Sequence, residues 1–198
     1  MSPIVYRITA LLEQLLVGVP IGTNLGLYHM LFALLSGHFL AERGAVFPAL
    51  ERLGLTKDAV HHASAALREG RWTIATLLQN WRNWISQEGS FVPHRHRGYH
   101  PVPCDLTAFY RPQLRGLQSK HYCQVADKAL PAIVFGVAVR VGSVGKQRLG
   151  IPTLLLRGEA TESDANLERR LVQTVAKSMK PDEVIVVDAG FEIGRAHV

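Results

Sequence analysis

The sequence predicts an α+β chain: helices through roughly the first ninety residues, then an α/β domain built on a mixed sheet. Three observations predict it. Between Leu25 and Leu40 apolar residues recur at 27, 30, 31, 34, 35 and 39, close to the 3.6-residue helical period. From Ala132 onward the apolar residues fall instead into short runs rich in Val and Ile. Between the two regimes, Gly89 to Pro103 carries Pro93, Pro101 and Pro103, each of which biases its predecessor away from helix. The division is therefore a helical domain over 1–92, a linker over 93–102 and a second domain over 103–198. With 198 residues, 47% of them hydrophobic and 19% charged, wholesale disorder is excluded.

The first half is taken in order. Residues 14–41 contain no Asp, Glu, Lys or Arg. A membrane span wants about 20 mainly apolar residues. Gly18, Pro20, Gly22, Thr23, Asn24 and Gly26 break the first part of this stretch, and His29, Ser36 and Gly37 dilute the second. The expectation is a buried bundle helix and no membrane. A short helix over Phe47–Leu53 follows, with Gly54 in the turn and Thr56 placed to cap a longer helix from Lys57 to about Gly70. Ala59 stands where a capping box would have Glu or Gln. Short helix, turn and longer helix make the helix-turn-helix outline, whose candidate DNA-contacting residues are Lys57, His61, His62 and Arg68. Plain bundle packing gives the same outline. Residues 72–87 form another helix, in which Trp81 and Trp84 share a face and are read as core rather than as stacking platforms for bases.

Charge is distributed unevenly. Residues 1–89 carry seven Lys/Arg against six Asp/Glu, residues 90–149 nine against two, and residues 150–198 six against eight. The basic middle also holds His94, His96, His100 and His121. A concentrated positive stretch favours a polyanion, and Arg95, Arg97, Lys120, Lys146 and Arg148 are its candidate phosphate contacts. His94-Arg95-His96-Arg97 lacks a third ligand at fixed spacing, and its two Arg would repel a cation, so phosphate contact or plain solvent exposure is preferred to metal. Cys104 and Cys123 have no partner at metal-ligand spacing and are too few for a disulfide scaffold. No leader pattern opens the chain, which points to the cytoplasm.

In the second half Val102–Leu106, Ala132–Val141 and Ile151–Leu156 read as strands, and Ser163–Met179 as a helix. Pro181-Asp182 makes a turn before Val184–Val187, four β-branched residues that suit a strand buried on both faces. Gly142-Ser-Val-Gly145-Lys146-Gln147 is not a phosphate loop, since Arg140 and Gln147 occupy the places that need Gly and Ser or Thr. A hairpin turn exposing Lys146 and Arg148 fits it better. Two acids stand beside apolar extended chain: Asp105, in or at the end of its strand, and Asp188, directly after Val187. Sites in open α/β sheets gather beyond the carboxyl ends of strands. Facing each other, the two could hold Mg²⁺, which accepts one or two carboxylates plus waters and phosphate oxygens. Read singly, Asp188 is a turn residue, and Asp105 an Asx turn or a helix cap.

Pro103-Cys-Asp105-Leu-Thr107, Lys128–Gly136 with Val137–Val141, Gln147–Pro152 and Val184-Ile-Val-Val-Asp188-Ala-Gly-Phe191 resemble the catalytic core of insertion-sequence DDE transposases. The resemblance spans about 98–192, and a helical DNA-binding segment ahead of the core is usual in that family. It implies a partial RNase H-like fold. It implies that Asp105 and Asp188 match the first two acidic metal ligands, with Mg²⁺ or Mn²⁺ as cofactor. It further implies double-stranded DNA, both transposon ends and target, as partner and substrate for metal-dependent strand cleavage and transfer, with the protein oligomeric on DNA and associated with the nucleoid. The family has a third carboxylate, a Glu on a helix well downstream of the second Asp. Here ten residues follow Asp188, and Glu192 is the one acid among them, too close to occupy that helix. The expectation is a truncated product that is inactive alone. Two other readings stand beside it: a non-enzymatic helix-turn-helix DNA-binding protein, and a phosphotransferase or nucleotide-binding α/β protein.

Overall fold

The computed structural model describes residues 3–20, 25–87, 89–111, 113 and 117–188. The chain divides into two units, Met1–Glu88 and Gly89–Val198. Glu192 and the rest of 189–198 lie outside the described residues. The expected linker over 93–102 is partly strand: Pro93 pairs with Gly142, and His100, Pro101 and Val102 pair with Glu183, Val184 and Ile185. Proline is compatible with extended chain at the first residues or the edge of a strand.

The first unit is helical: α1 (Pro3–Leu15), α2 (Leu25–Leu35), α3 (His38–Ala41), α4 (Val46–Glu51), α5 (Lys57–Glu69) and α6 (Ile74–Gln87). Its core is Met30, Ala33, Leu50, Val60 and Ala63, with Phe39, Val46, Leu53 and Leu55 packed against them. The helix expected through Leu40 stops at Leu35. Ser36 Oγ donates to the Phe32 carbonyl at 2.6 Å, and Gly37 turns left-handed at φ 81°, a conformation glycine adopts at little cost. At Thr56 the expected cap is present, the hydroxyl accepting from Ala59 N at 3.3 Å. Asn80 on α6 donates to the carbonyls of Leu15 and Val17, both at 2.8 Å, satisfying acceptors that the end of α1 leaves open. Trp81 and Trp84 are half-buried and stack on each other, 5.4 Å between ring centroids. Among the described residues no helix is long and apolar enough to cross a membrane.

In the second unit the order is β1 (Phe91–Pro93), β2 (His100–Tyr110), β3 (Lys120–Cys123), β4 (Lys128–Val144), β5 (Gln147–Arg157), α7 (Asp164–Ala176) and β6 (Glu183–Val186). The long strand β4 is antiparallel to β5 along one edge and to β2 and β1 along the other, and β3 pairs antiparallel with its first residues, 128–131. β6 then pairs parallel to β2, so the sheet is mixed. One face is covered by α7. Leu167, Leu171 and Val175 on the helix pack with Val102, Cys104, Ala132, Val134 and Ala138 on the strands. Gly136 lets Leu171 sit low on the sheet, since a Cβ there would stand 3.2 Å from Leu171 Cδ2. The run Val184–Val187 is not buried on both faces. Val184 and Val186 are 42% and 44% exposed, and only Ile185 and Val187 turn to the core. Four β-branched residues specify a strand, but what covers each face depends on the neighbours.

Arg170 on α7 clasps Glu162 with two hydrogen bonds, 2.9 and 2.6 Å, and donates to the Arg157 carbonyl at the end of β5. These bonds hold the Glu162 carboxyl below its ordinary value, against the opposing effect of burial.

Two outcomes follow from this packing. A Cβ on Gly26 would lie 2.5 Å from Ala63 Cα and 2.7 Å from the His62 carbonyl oxygen, where α2 meets α5. Gly26→Ala should cost the helical unit about 1–3 kcal/mol in denaturant unfolding followed by helical circular dichroism. Gly89→Ala, where a Cβ meets nothing within 4 Å, should stay within about 0.5 kcal/mol. Glu162 has a depressed folded pKa, so its contribution is complete above the ordinary glutamate value of 4.5 and is lost as pH falls through the folded value. Unfolding measured across that acid range should lose stability more steeply in the native chain than in Glu162→Gln.

Candidate functional site

The site is set by a register. β2 and β6 run parallel with the pairs His100↔Glu183, Pro101↔Val184, Val102↔Ile185 and Pro103↔Val186. Two residues beyond the last pair on each chain stand Asp105 and Asp188, at one level across the two strands. Side chains alternate across a strand. Val102 and Cys104 pack under α7, as do Ile185 and Val187, while Asp105 and Asp188 are both exposed. Asp105 Oδ1 accepts from the next residue, Leu106 N, at 2.8 Å, which engages one oxygen but is neither an Asx turn nor a helix cap, since Asp105 lies inside a strand. Asp105 does not end its strand, because β2 continues to Tyr110.

The face that carries Asp105 is mainly apolar next to it, with exposed Thr107 and Arg157 one step along, both paired with Phe135. Asp105 pairs with Val137 on β4, and Val137 with Leu155 on β5. Phe109 and Phe135 meet edge to face at 5.8 Å. Two exposed carboxylates at one level are hard oxygen donors, which fits Mg²⁺ or Mn²⁺ completed by water and phosphate. Among the described residues no group of three or more His, Cys, Asp or Glu could hold a metal ion. The described chain thus offers two protein carboxylates, and Glu192 lies outside it. Burial pushes the Cys104 thiol up to about 11, which keeps it protonated and out of nucleophilic or ligand chemistry.

The basic candidates separate into groups. Arg95 and Arg97 lie on the turn between β1 and β2, where Arg97 and Gly98 have φ of 50° and 89° and His96 bridges to Tyr99. Lys146 and Arg148 lie on the β4–β5 hairpin, both exposed. Ser143 pairs with Val92 on one side and Arg148 on the other, so these four residues share the end of the sheet where β2 begins. Five residues of strand, roughly 17 Å, separate His100 from Asp105. Lys120 pairs with Pro131, towards the opposite end of β2.

In the helical unit Lys57, His61 and Arg68 are exposed, and their spacing puts them on one stripe of α5. The His61 ring meets Phe47 edge-on at 5.7 Å. His62 leaves the stripe and lines a cleft of about 500 Å³ with Gly26, His29 and Glu69. Burial lowers the pKa of His29 there.

Two features escaped sequence reasoning. Asp182 is a shared counter-ion to Arg95 at 3.5 Å and His100 at 3.7 Å. His121 Nδ1 meets Asp164 Oδ2 at 2.8 Å across 43 residues of chain. Both depend on strand pairing that no local pattern encodes.

The paired acids make a direct expectation. Mn²⁺ titration followed by electron paramagnetic resonance should show weak binding, reduced about tenfold (~1.4 kcal/mol) by Asp105→Asn and by Asp188→Asn. Both side chains are exposed, so neither change should alter the circular dichroism. Native affinity in both variants would separate these residues from any metal. Comparison with protein-family models, with curated proteins and with solved structures finds no match to this chain, so the reading of the site rests on its own residues and geometry.

Proposed function

We propose that this chain is a DNA-binding, partial RNase H-like unit of a DDE-type transposase, acting on double-stranded DNA with Mg²⁺ or Mn²⁺. One observation carries the reading: parallel pairing of β2 with β6 brings Asp105 and Asp188, 83 residues apart, to one level and leaves both exposed. An antiparallel run of strands, one covering helix and a strand returning parallel to β2 support the fold assignment. The reading puts the protein in the cytoplasm, at the nucleoid.

The chain's residues divide the work. Asp105 has one oxygen held by Leu106 N and the other free to turn outward, while Asp188 supplies the second carboxylate. A divalent cation, when bound, polarises the scissile phosphate and lowers the pKa of the attacking water or hydroxyl. Arg95, Arg97, Lys146 and Arg148 hold phosphates at one end of the sheet, and Lys120 does so towards the other. Such contacts position DNA without reading its sequence. The α5 stripe of Lys57, His61 and Arg68 contacts DNA from the helical unit. That exposed stripe also favours a second reading, a DNA-binding protein without catalysis.

Binding to labelled duplex DNA, with and without Mn²⁺, tests the proposal. Mn²⁺ should tighten binding by about tenfold, ~1.4 kcal/mol. Asp105→Asn and Asp188→Asn should abolish that increment and keep the metal-free affinity. Lys57→Glu with Arg68→Glu should weaken binding in both conditions. An Mn²⁺ increment that survives both Asp changes overturns the metal site. Binding that depends only on Lys57 and Arg68 supports the non-catalytic reading.

A further inference from the structure

We propose that the β1–β2 turn, residues 94–100, is an acid-strengthened docking element for the phosphate backbone of double-stranded DNA. The inference rests on the DNA-binding reading above and adds a form of regulation to it.

The turn carries His94, Arg95, His96, Arg97 and His100 within seven residues, and all but the half-buried His100 are exposed. It is held rather than loose. His94 N donates to the Val141 carbonyl on β4 at 2.9 Å, and His100 N donates to the Asp182 carbonyl at 2.7 Å. His100 Nδ1 lies 2.9 Å from the His94 carbonyl oxygen. A carbonyl only accepts, so Nδ1 carries the proton, and Nε2 is the nitrogen left to take a second one.

That nitrogen faces Asp182. His100 Nε2 is 3.7 Å and Arg95 Nη2 3.5 Å from the same oxygen, Asp182 Oδ2. The other charged group opposite His100, Glu183, is engaged by Arg140 on β4 at 3.3 Å and by Lys180 N at 2.9 Å. Asp182 is therefore one carboxylate shared by two potential cations. With His100 neutral, it offsets Arg95. Once His100 is protonated, Asp182 is matched from within the fold, and the 60%-exposed Arg95 is left for an outside anion. Imidazole changes charge between about pH 5 and 8. Counting Asp182, the turn goes from a net charge of about +1 with neutral imidazoles to about +4 with all three protonated.

The guanidinium fork matches phosphate geometry. Each added cation at a phosphate releases a counterion and steepens the fall of log K with log salt by about 0.9. Acid should therefore raise both the affinity for duplex DNA and its salt dependence.

The experiment measures binding of the full chain to one labelled duplex across a salt series, at about pH 8 and about pH 6. The salt slope should steepen by about 1–2 at the lower pH. His94→Gln with His96→Gln should remove most of that increment. His100→Gln, which can still donate to the His94 carbonyl but cannot protonate, should remove a further part. Arg97→Gln should shallow the slope by about 1 at both pH values, which confirms the turn as a contact independently of titration. Equal slopes at the two pH values overturn the inference alone. So does an increment that persists in the triple His variant, since pH would then act through other histidines. Absence of binding at low salt at both pH values overturns the DNA-binding reading and this inference with it.

Discussion

The parallel pairing of β2 with β6 is the constraint on which the second unit depends. Parallel neighbours need a crossover, and α7 provides it while covering one face of the sheet. The register is fixed by what α7 buries. A slip of one residue would turn Val102, Cys104, Ile185 and Val187 away from the helix and drive Asp105 into the core. Gly136 on β4 seats the same helix independently, since Leu171 approaches where a Cβ would stand. The apolar packing under α7 therefore decides where two carboxylates on the other face stand.

The sheet is asymmetric as a consequence. The α7 face holds the buried residues of the unit, whereas the opposite face leaves Phe109 57%, Val184 42% and Val186 44% exposed around the two acids. Basic side chains are absent from the immediate register of Asp105, whose neighbours across β4 and β5 are Val137 and Leu155. Positive charge collects at the ends of the strands, on turns and hairpins, where long cationic side chains stay solvated.

The helical unit shows a different use of small residues. Gly26 against Ala63 brings α2 and α5 to backbone contact, and Ala33 and Val60 complete that seam. The close approach fixes the rotation of α5, which leaves Lys57, His61 and Arg68 outward and turns His62 towards the cleft beside His29. Four candidate contact residues were legible from composition and spacing. Helical spacing already sets His62 off the stripe of the other three, and the packing of the helix adds the cleft that it lines.

The sequence by itself determined the two-part organisation, the Thr56 cap, the hairpin at Gly145-Lys146 and the single helix between the third long strand and the last, because each is encoded by local periodicity, capping chemistry or turn residues. It marked Asp105 and Asp188 as acids beside apolar strands. It did not determine that β2 runs on to Tyr110, that Phe91 and Val92 are strand and not part of the helical domain, that residues 93, 100 and 101 are strand rather than linker, or that Val184 and Val186 are exposed. Those follow from which strands become neighbours. Nor did it reveal Asp182 as the shared partner of Arg95 and His100, since that contact joins a turn at one end of the chain's second unit to one near the other. Local propensity acts over a few residues, whereas burial and ion pairing act between segments that only the folded sheet brings together, and the candidate site is made of the second kind of contact.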